Sequence, residues 1–181
     1  AYIESNIIPI YNSFDKGHDK SHVYKVINDS ISIARDYEID INMVYTIAAY
    51  HDVGILEGRE RHHITSGIIL KNDSELIKWF SKEQIEIMRE AVEDHRASNK
   101  NEPRSIYGKI VAEADRDIST EKIVFRSIAY ALKNYPQENY VETMERVFSH
   151  IHTKYGKNGY LKLWLNTEKN AKGLRQIRNI I

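Results

Sequence analysis

Apolar residues recur three and four positions apart along this chain, and strand-like alternation is scarce. That period lines one face of a helix, whereas a strand needs a period of two. Ile3, Ile7, Ile10 and Phe14 predict a first helix, and Asp15 to Ser21, with Gly17, predicts a loop. Val23, Val26, Ile27, Ile31, Ala34 and Tyr37 predict a second helix. Ile41, Val44, Ile47 and Ala48 predict a third, stopping near Gly54. A short helix is expected from Ile64 to Leu70. Ser81 and Gln84 have the spacing of a capping box, opening a helix that carries Ile85, Met88, Ala91 and Val92. Another runs through Ile110, Val111 and Ala114 after Pro103 and Ser105. Ile123 to Leu132, Tyr140 to Tyr155 and Leu161 to Ile177 supply the rest. The expected fold class is therefore all-α, a helical bundle in one domain over residues 1–181, since no repeat, low-complexity stretch or linker divides the chain.

Length and charge narrow the function. A chain of 181 residues can bury an ordinary core without staples. Lys plus Arg and Asp plus Glu are 26 each, so the net charge is zero, and no strong nucleic-acid binding is expected. The absence of cysteine excludes a disulfide scaffold, a thiolate metal site and a cysteine nucleophile. No apolar run is long enough to span a bilayer, and no charged-then-apolar segment opens the chain, so the expectation is a soluble cytoplasmic protein without a membrane partner.

The chemistry is carried by the histidines, of which there are eight. His51 lies four residues after Ile47 and seven after Val44, so it continues an inward apolar stripe. Asp52 follows it at the expected helix end. Helix neighbours point about 100° apart, yet an ion beyond the helix end can reach both. Similar tips recur: His22 opens the face of Val26, Ser30 and Ile33, His95 ends the face of Ile85, Met88 and Val92, and Asp115 follows Val111 by one turn. His63 opens a short helix with Gly67 one turn on, a spacing that favours it over the adjacent His62. Buried imidazoles and carboxylates need partners. If these tips converge, four imidazoles and two carboxylates form a pocket suited to one or two divalent Mn, Fe, Co, Ni or Zn ions rather than Ca. Arg96 and Arg116 each follow a candidate ligand and are the expected contacts for an anionic substrate. His18 is expected in a loop, and His150 and His152 face different ways on a helix.

The run Gly17-His18-Asp19-Lys20-Ser21-His22, then Ala48-Ala49-Tyr50-His51-Asp52-Val53-Gly54, then Ala114-Asp115-Arg116, resembles the HD superfamily over about residues 17–117. The resemblance implies a helical HD-type domain and a metal-dependent phosphohydrolase with His22, His51, Asp52 and Asp115 as metal ligands. His63-Ile64-Thr65-Ser66-Gly67 and His95 are similar to positions of the binuclear members, the HD-GYP cyclic-dinucleotide phosphodiesterases and the HD-type diadenosine tetraphosphate hydrolases. There Asp52 would bridge two metals and be central to catalysis. Arg96 stands where HD-GYP proteins have a second histidine, and the Gly-Tyr-Pro motif is absent, which argues against that cyclic-dinucleotide activity. Residues 118–181 carry no recognisable motif.

The expected substrate is a nucleotide or another small phosphorylated compound, cleaved at a phosphate ester or anhydride by metal-activated water. Two alternatives share the fold. A di-iron oxygenase resembling inositol oxygenase would use the same six ligands, and a regulatory domain would keep the metal without turnover.

Overall fold

The computed structural model describes residues 1–15, 17–96, 99 and 101–181; Lys16, in the expected loop 15–21, lies outside them. Regular structure among the described residues is helical throughout. Packing divides the chain into two compact units, 1–115 and 116–181.

The first unit holds α1 (Tyr2–Asn6), α2 (Lys20–Ala34), α3 (Ile41–Tyr50), α4 (His62–Asn72), α5 (Lys82–Asp94) and α6 (Ile106–Asp115). The expected first helix is broken. α1 gives way to a 3-10 turn over Ile8–Ser13, because Pro9 lacks the N–H that would continue the helix to the carbonyl of Ser5. Three tyrosines then fasten α1: Tyr24 and Tyr45 donate to Glu4 at 2.6 Å each, and Tyr2 donates at 2.6 Å to Asp73, which also accepts from Tyr50 at 2.5 Å.

Capping residues set the helix starts. Asp19 accepts the amides of Ser21 and His22 at 2.8 and 3.2 Å, which fixes His22 in the first turn of α2. Asp40 caps α3, and Ser81 with Gln84 forms the expected capping box of α5. Each such cap is worth about 0.5–2 kcal/mol. The apolar faces of α2, α3, α5 and α6 meet in one core around Val26, Ile47, Met88, Val92 and Val111. α4 packs on α5 and on a short 3-10 turn, Val53–Glu57, that follows α3.

The second unit holds α7 (Thr120–Asn134), α8 (Tyr140–Tyr155) and α9 (Glu168–Arg178) around Ile123, Val147, Ile151, Leu174 and Ile177. The expected long helix from Leu161 starts only at Glu168. Leu161 is buried, but its amide donates to Lys154 at the end of α8, so the chain there closes that helix rather than opening another. No helix among the described residues is long and apolar enough to cross a membrane.

Candidate metal centre

Five helices of the first unit bring their ends together. His22 comes from the first turn of α2, His51 and Asp52 from the end of α3, His62 from the start of α4, His95 from the end of α5, and Asp115 from the end of α6. His51, Asp52 and His95 are buried. Lys25 on α2 donates to the carbonyl of Ala114 at 3.1 Å, holding the end of α6 beside that helix.

Asp52 stands between two groups. Its Oδ2 lies 3.1 Å from His51 Nε2 and 3.6 Å from His22 Nε2. Its Oδ1 lies 3.2 Å from His62 Nε2 and 3.5 Å from His95 Nε2. Asp115 Oδ1 joins the first group, 3.2 Å from His22 Nε2 and 3.9 Å from His51 Nε2.

The ring hydrogens show which nitrogen of each imidazole faces the cluster. His51 Nδ1 donates to the carbonyl of Ala48 at 2.7 Å, His95 Nδ1 to Val92 at 2.6 Å, and His62 Nδ1 to Arg59 at 2.9 Å. A carbonyl only accepts, so each Nδ1 carries its hydrogen, and the neutral ring keeps a bare lone pair on Nε2. Yet His62 and His95 turn those atoms toward each other at 3.3 Å, and the Nε2 of His51 faces that of His22 at 3.2 Å. Two facing lone pairs repel unless a proton or a metal cation lies between them.

Two ligand nitrogens held by one tetrahedral ion at about 2.0–2.1 Å are themselves about 3.4 Å apart. The observed spacings are of that size. His22, His51 and Asp52 form one set whose ligand atoms all lie within 4.8 Å of one another, and Asp52, His62 and His95 form a second. The donor set fits two divalent cations with Asp52 shared.

The electrostatics also favour positive charge. Burial pulls the His51 imidazole down, but the carboxylates of Asp52 and Asp115 outweigh it and push it up to about 9. Burial works against the Asp115 carboxylate, and its hydrogen bond with His22 and the nearby His51 and His95 still bring it down to about 2. Asp52 lies well below the usual carboxylate range for the same reason, with His51 outweighing burial. Burial and the Asp52 charge hold the Tyr11 phenol well above its ordinary range.

Among the expected residues, His22, His51, Asp52, His95 and Asp115 are brought together, and His63 is not. His62 occupies the position expected of His63. His63 stacks edge-on to His62 with ring centroids 5.7 Å apart, its Nδ1 has no hydrogen-bond partner, and burial with His95 and Arg96 nearby brings it down to about 4.

Two glycines explain the exchange. A Cβ on Gly67 would meet Glu93 and Arg89 of α5 at 2.9 and 3.2 Å, so Gly67 serves helix packing rather than the site. A Cβ on Gly54 would lie 2.4 Å from the carbonyl of His62. Gly54 therefore lets the first turn of α4 close onto the segment after Asp52, and its amide donates to Ser66 at 2.8 Å. Ser66, buried and four residues after His62, marks the inward register that sequence spacing to Gly67 missed.

Arg96 is half-buried and donates from Nη1 to the carbonyl of Glu60 at 2.8 Å. It thereby holds the approach to His62 and keeps its other N–H groups. Arg116 is buried and opens the second unit. At the rim of the first unit, His18 Nδ1 donates to Asp15 at 2.9 Å and Arg59 donates to His18 Nε2 at 3.2 Å.

No curated protein matches the chain. Two solved structures share the fold. A predicted HD superfamily hydrolase from an uncultured Thermotogales bacterium is 19% identical over 81% of this chain and 82% of that one, with a TM-score of 0.55. Bacillus subtilis YpgQ, solved in complex with ADP, is 20% identical over 98% of this chain and 90% of that one, with a TM-score of 0.56. The HD domain family itself matches residues 20–118. That span holds every histidine and aspartate of the converging cluster and more than half of the chain, and by it the protein belongs to the HD domain family.

Proposed function

We propose that this protein is a divalent-metal-dependent phosphohydrolase acting on a nucleotide or another small phosphorylated compound. The observation that carries the reading is Asp52, whose two carboxylate oxygens each face a separate pair of imidazole Nε2 atoms. His22, His51, Asp52 and Asp115 would hold one ion and Asp52, His62 and His95 the other. Bound there, a divalent metal supplies a Lewis acid for a phosphoryl oxygen and lowers the pKa of water toward neutrality.

The chain's own residues prepare the site. The carbonyls of Ala48, Val92 and Arg59 fix the tautomer and aim of three imidazoles before any ion arrives. The guanidinium of Arg96 has donors left for a phosphoryl oxygen. YpgQ, a structural relative, was solved with ADP, which supports nucleotides as the first class to try.

The test is metal content of protein purified without chelator, followed by phosphate release from nucleotides and simple phosphate esters with Mn, Fe, Co and Ni. Stoichiometric metal with phosphate release is expected. Absence of bound metal would overturn the reading. Oxygen uptake by the iron-loaded protein would assign it to the oxygenase alternative, and metal without turnover to the regulatory one.

A further inference from the structure

His51 and Asp52 are adjacent, and a continuing helix would turn their side chains about 100° apart. Their convergence requires α3 to stop between them. It does: Asp52 leaves helical geometry at φ −114° and ψ 1°. Stopping a helix inside a core leaves backbone groups to satisfy. In a continuing helix the Asp52 amide would donate to the carbonyl of Ala48, the carbonyl that here takes the His51 Nδ1 hydrogen at 2.7 Å.

One side chain from a distant turn resolves this. The Tyr11 hydroxyl accepts the Asp52 amide at 3.3 Å and donates to the carbonyl of Ala49 at 2.9 Å. Tyr11 is completely buried, and its ring is inclined by 29° to that of His51, with centroids 6.3 Å apart. It therefore bonds the backbone on both sides of His51, with its ring beside the imidazole.

We propose that Tyr11 is a positioning residue for the metal centre: its hydroxyl substitutes for the missing helical turn and fixes Asp52 so that its two oxygens face the two imidazole pairs. The inference rests on the metal-site reading above. Without the hydroxyl, the Asp52 amide regains freedom to rotate, and the shared carboxylate loses its fixed direction.

The experiment compares Co²⁺ binding to the parent, Tyr11→Phe and Tyr50→Phe, by titration and by the visible spectrum of the bound ion. Phenylalanine keeps the ring packing at either position. Tyr50 is an equally buried tyrosine whose hydroxyl bonds Asp73 instead. Tyr11→Phe should weaken Co²⁺ binding about 10–100-fold, as loss of a group that orients metal ligands does, and should change the intensity of the spectrum. Tyr50→Phe should leave both as in the parent.

A parent that binds no Co²⁺ would overturn the metal-site reading itself. A parent that binds, with Tyr11→Phe binding equally and giving the same spectrum, would overturn only the role of Tyr11. Should Tyr11→Phe fail to fold, 3-fluorotyrosine incorporated at position 11 keeps the hydroxyl. Its ¹⁹F resonance should move on Zn²⁺ binding, and a resonance that stays in place would overturn the proposal.

Discussion

The two units use the same kind of sequence in different ways. In the first, several helices enclose one another, and Tyr11, Tyr50, Ile47, Met88 and Val111 are fully buried. In the second, three helices share a thin core, and large apolar residues face outward: Phe125 is 73% exposed, Tyr140 78% and Val141 61%. Helical periodicity is present in both. What differs is the number of neighbours available to cover each face, which rises with the number of elements around a core.

The difference extends to chemistry. Six ligand-type side chains can meet only where several helix ends converge, and the first unit provides five such ends. A cavity of about 1230 Å³ lies between α7 and α8 of the second unit and is lined by residues such as Arg126, Tyr130, His150 and Lys154. None of the converging histidines or aspartates borders it. Cavity size and metal-ligand chemistry are thus separated, and the chemistry of the side chains is the better guide.

The sharpest way to break the comparison is Asp52→Ala. It removes the carboxylate shared by both ligand sets, so phosphate release should fall more than about 100-fold, beyond what loss of an orienting group alone costs. Metal content should fall with it, and circular dichroism should show helix content unchanged. A variant that keeps its metal would erase the distinction between the units.

The next effect is on stoichiometry. His62→Ala should reduce bound metal from two ions toward one, whereas His63→Ala should leave the count unchanged. Metal analysis after equilibrium dialysis decides between them, and the reverse result would restore the register expected from spacing to Gly67.

Stability should separate the units in the same direction. Met88→Ala empties a fully buried site in the first core and should cost about 2–5 kcal/mol in denaturant unfolding. Phe125→Ala alters an exposed residue and should stay within about 0.5 kcal/mol. Comparable losses would mean that Phe125 is covered in solution.

The smallest contrast pairs two glycines. A Cβ would lie 2.4 Å from the His62 carbonyl at Gly54 and 2.0 Å from the Ile118 carbonyl at Gly173. Alanine at either should cost about 1–3 kcal/mol by overpacking. Only Gly54→Ala should also weaken metal binding, because it pushes His62 away from Asp52. Equal metal affinity in the two variants would show that the close approach at Gly54 serves packing alone.

Much of this was legible beforehand because it is local. The capping box at Ser81 and Gln84, the inward stripe ending in His51, and the turn relation of Asp115 to Val111 depend on residues three or four apart. The break at Pro9 was legible in principle, since a missing amide hydrogen interrupts any helix, but the apolar spacing of Ile3, Ile7 and Ile10 concealed it. The start of the last helix was not: Leu161 has the right period, and only its bond to Lys154 shows that its amide closes α8 instead.

The sequence by itself determined that the chain is helical, that it carries the HD pattern, and that His22, His51, Asp52, His95 and Asp115 stand at the ends of apolar faces. Side-chain period and ligand chemistry are properties of short segments, so no tertiary contact is needed to read them. The choice between His62 and His63 was decided only by tertiary structure. Both are imidazoles on the same turn, and which one faces inward depends on the rotation of α4. That rotation is set from outside the helix, where Gly54 admits its first turn and Gly67 admits α5.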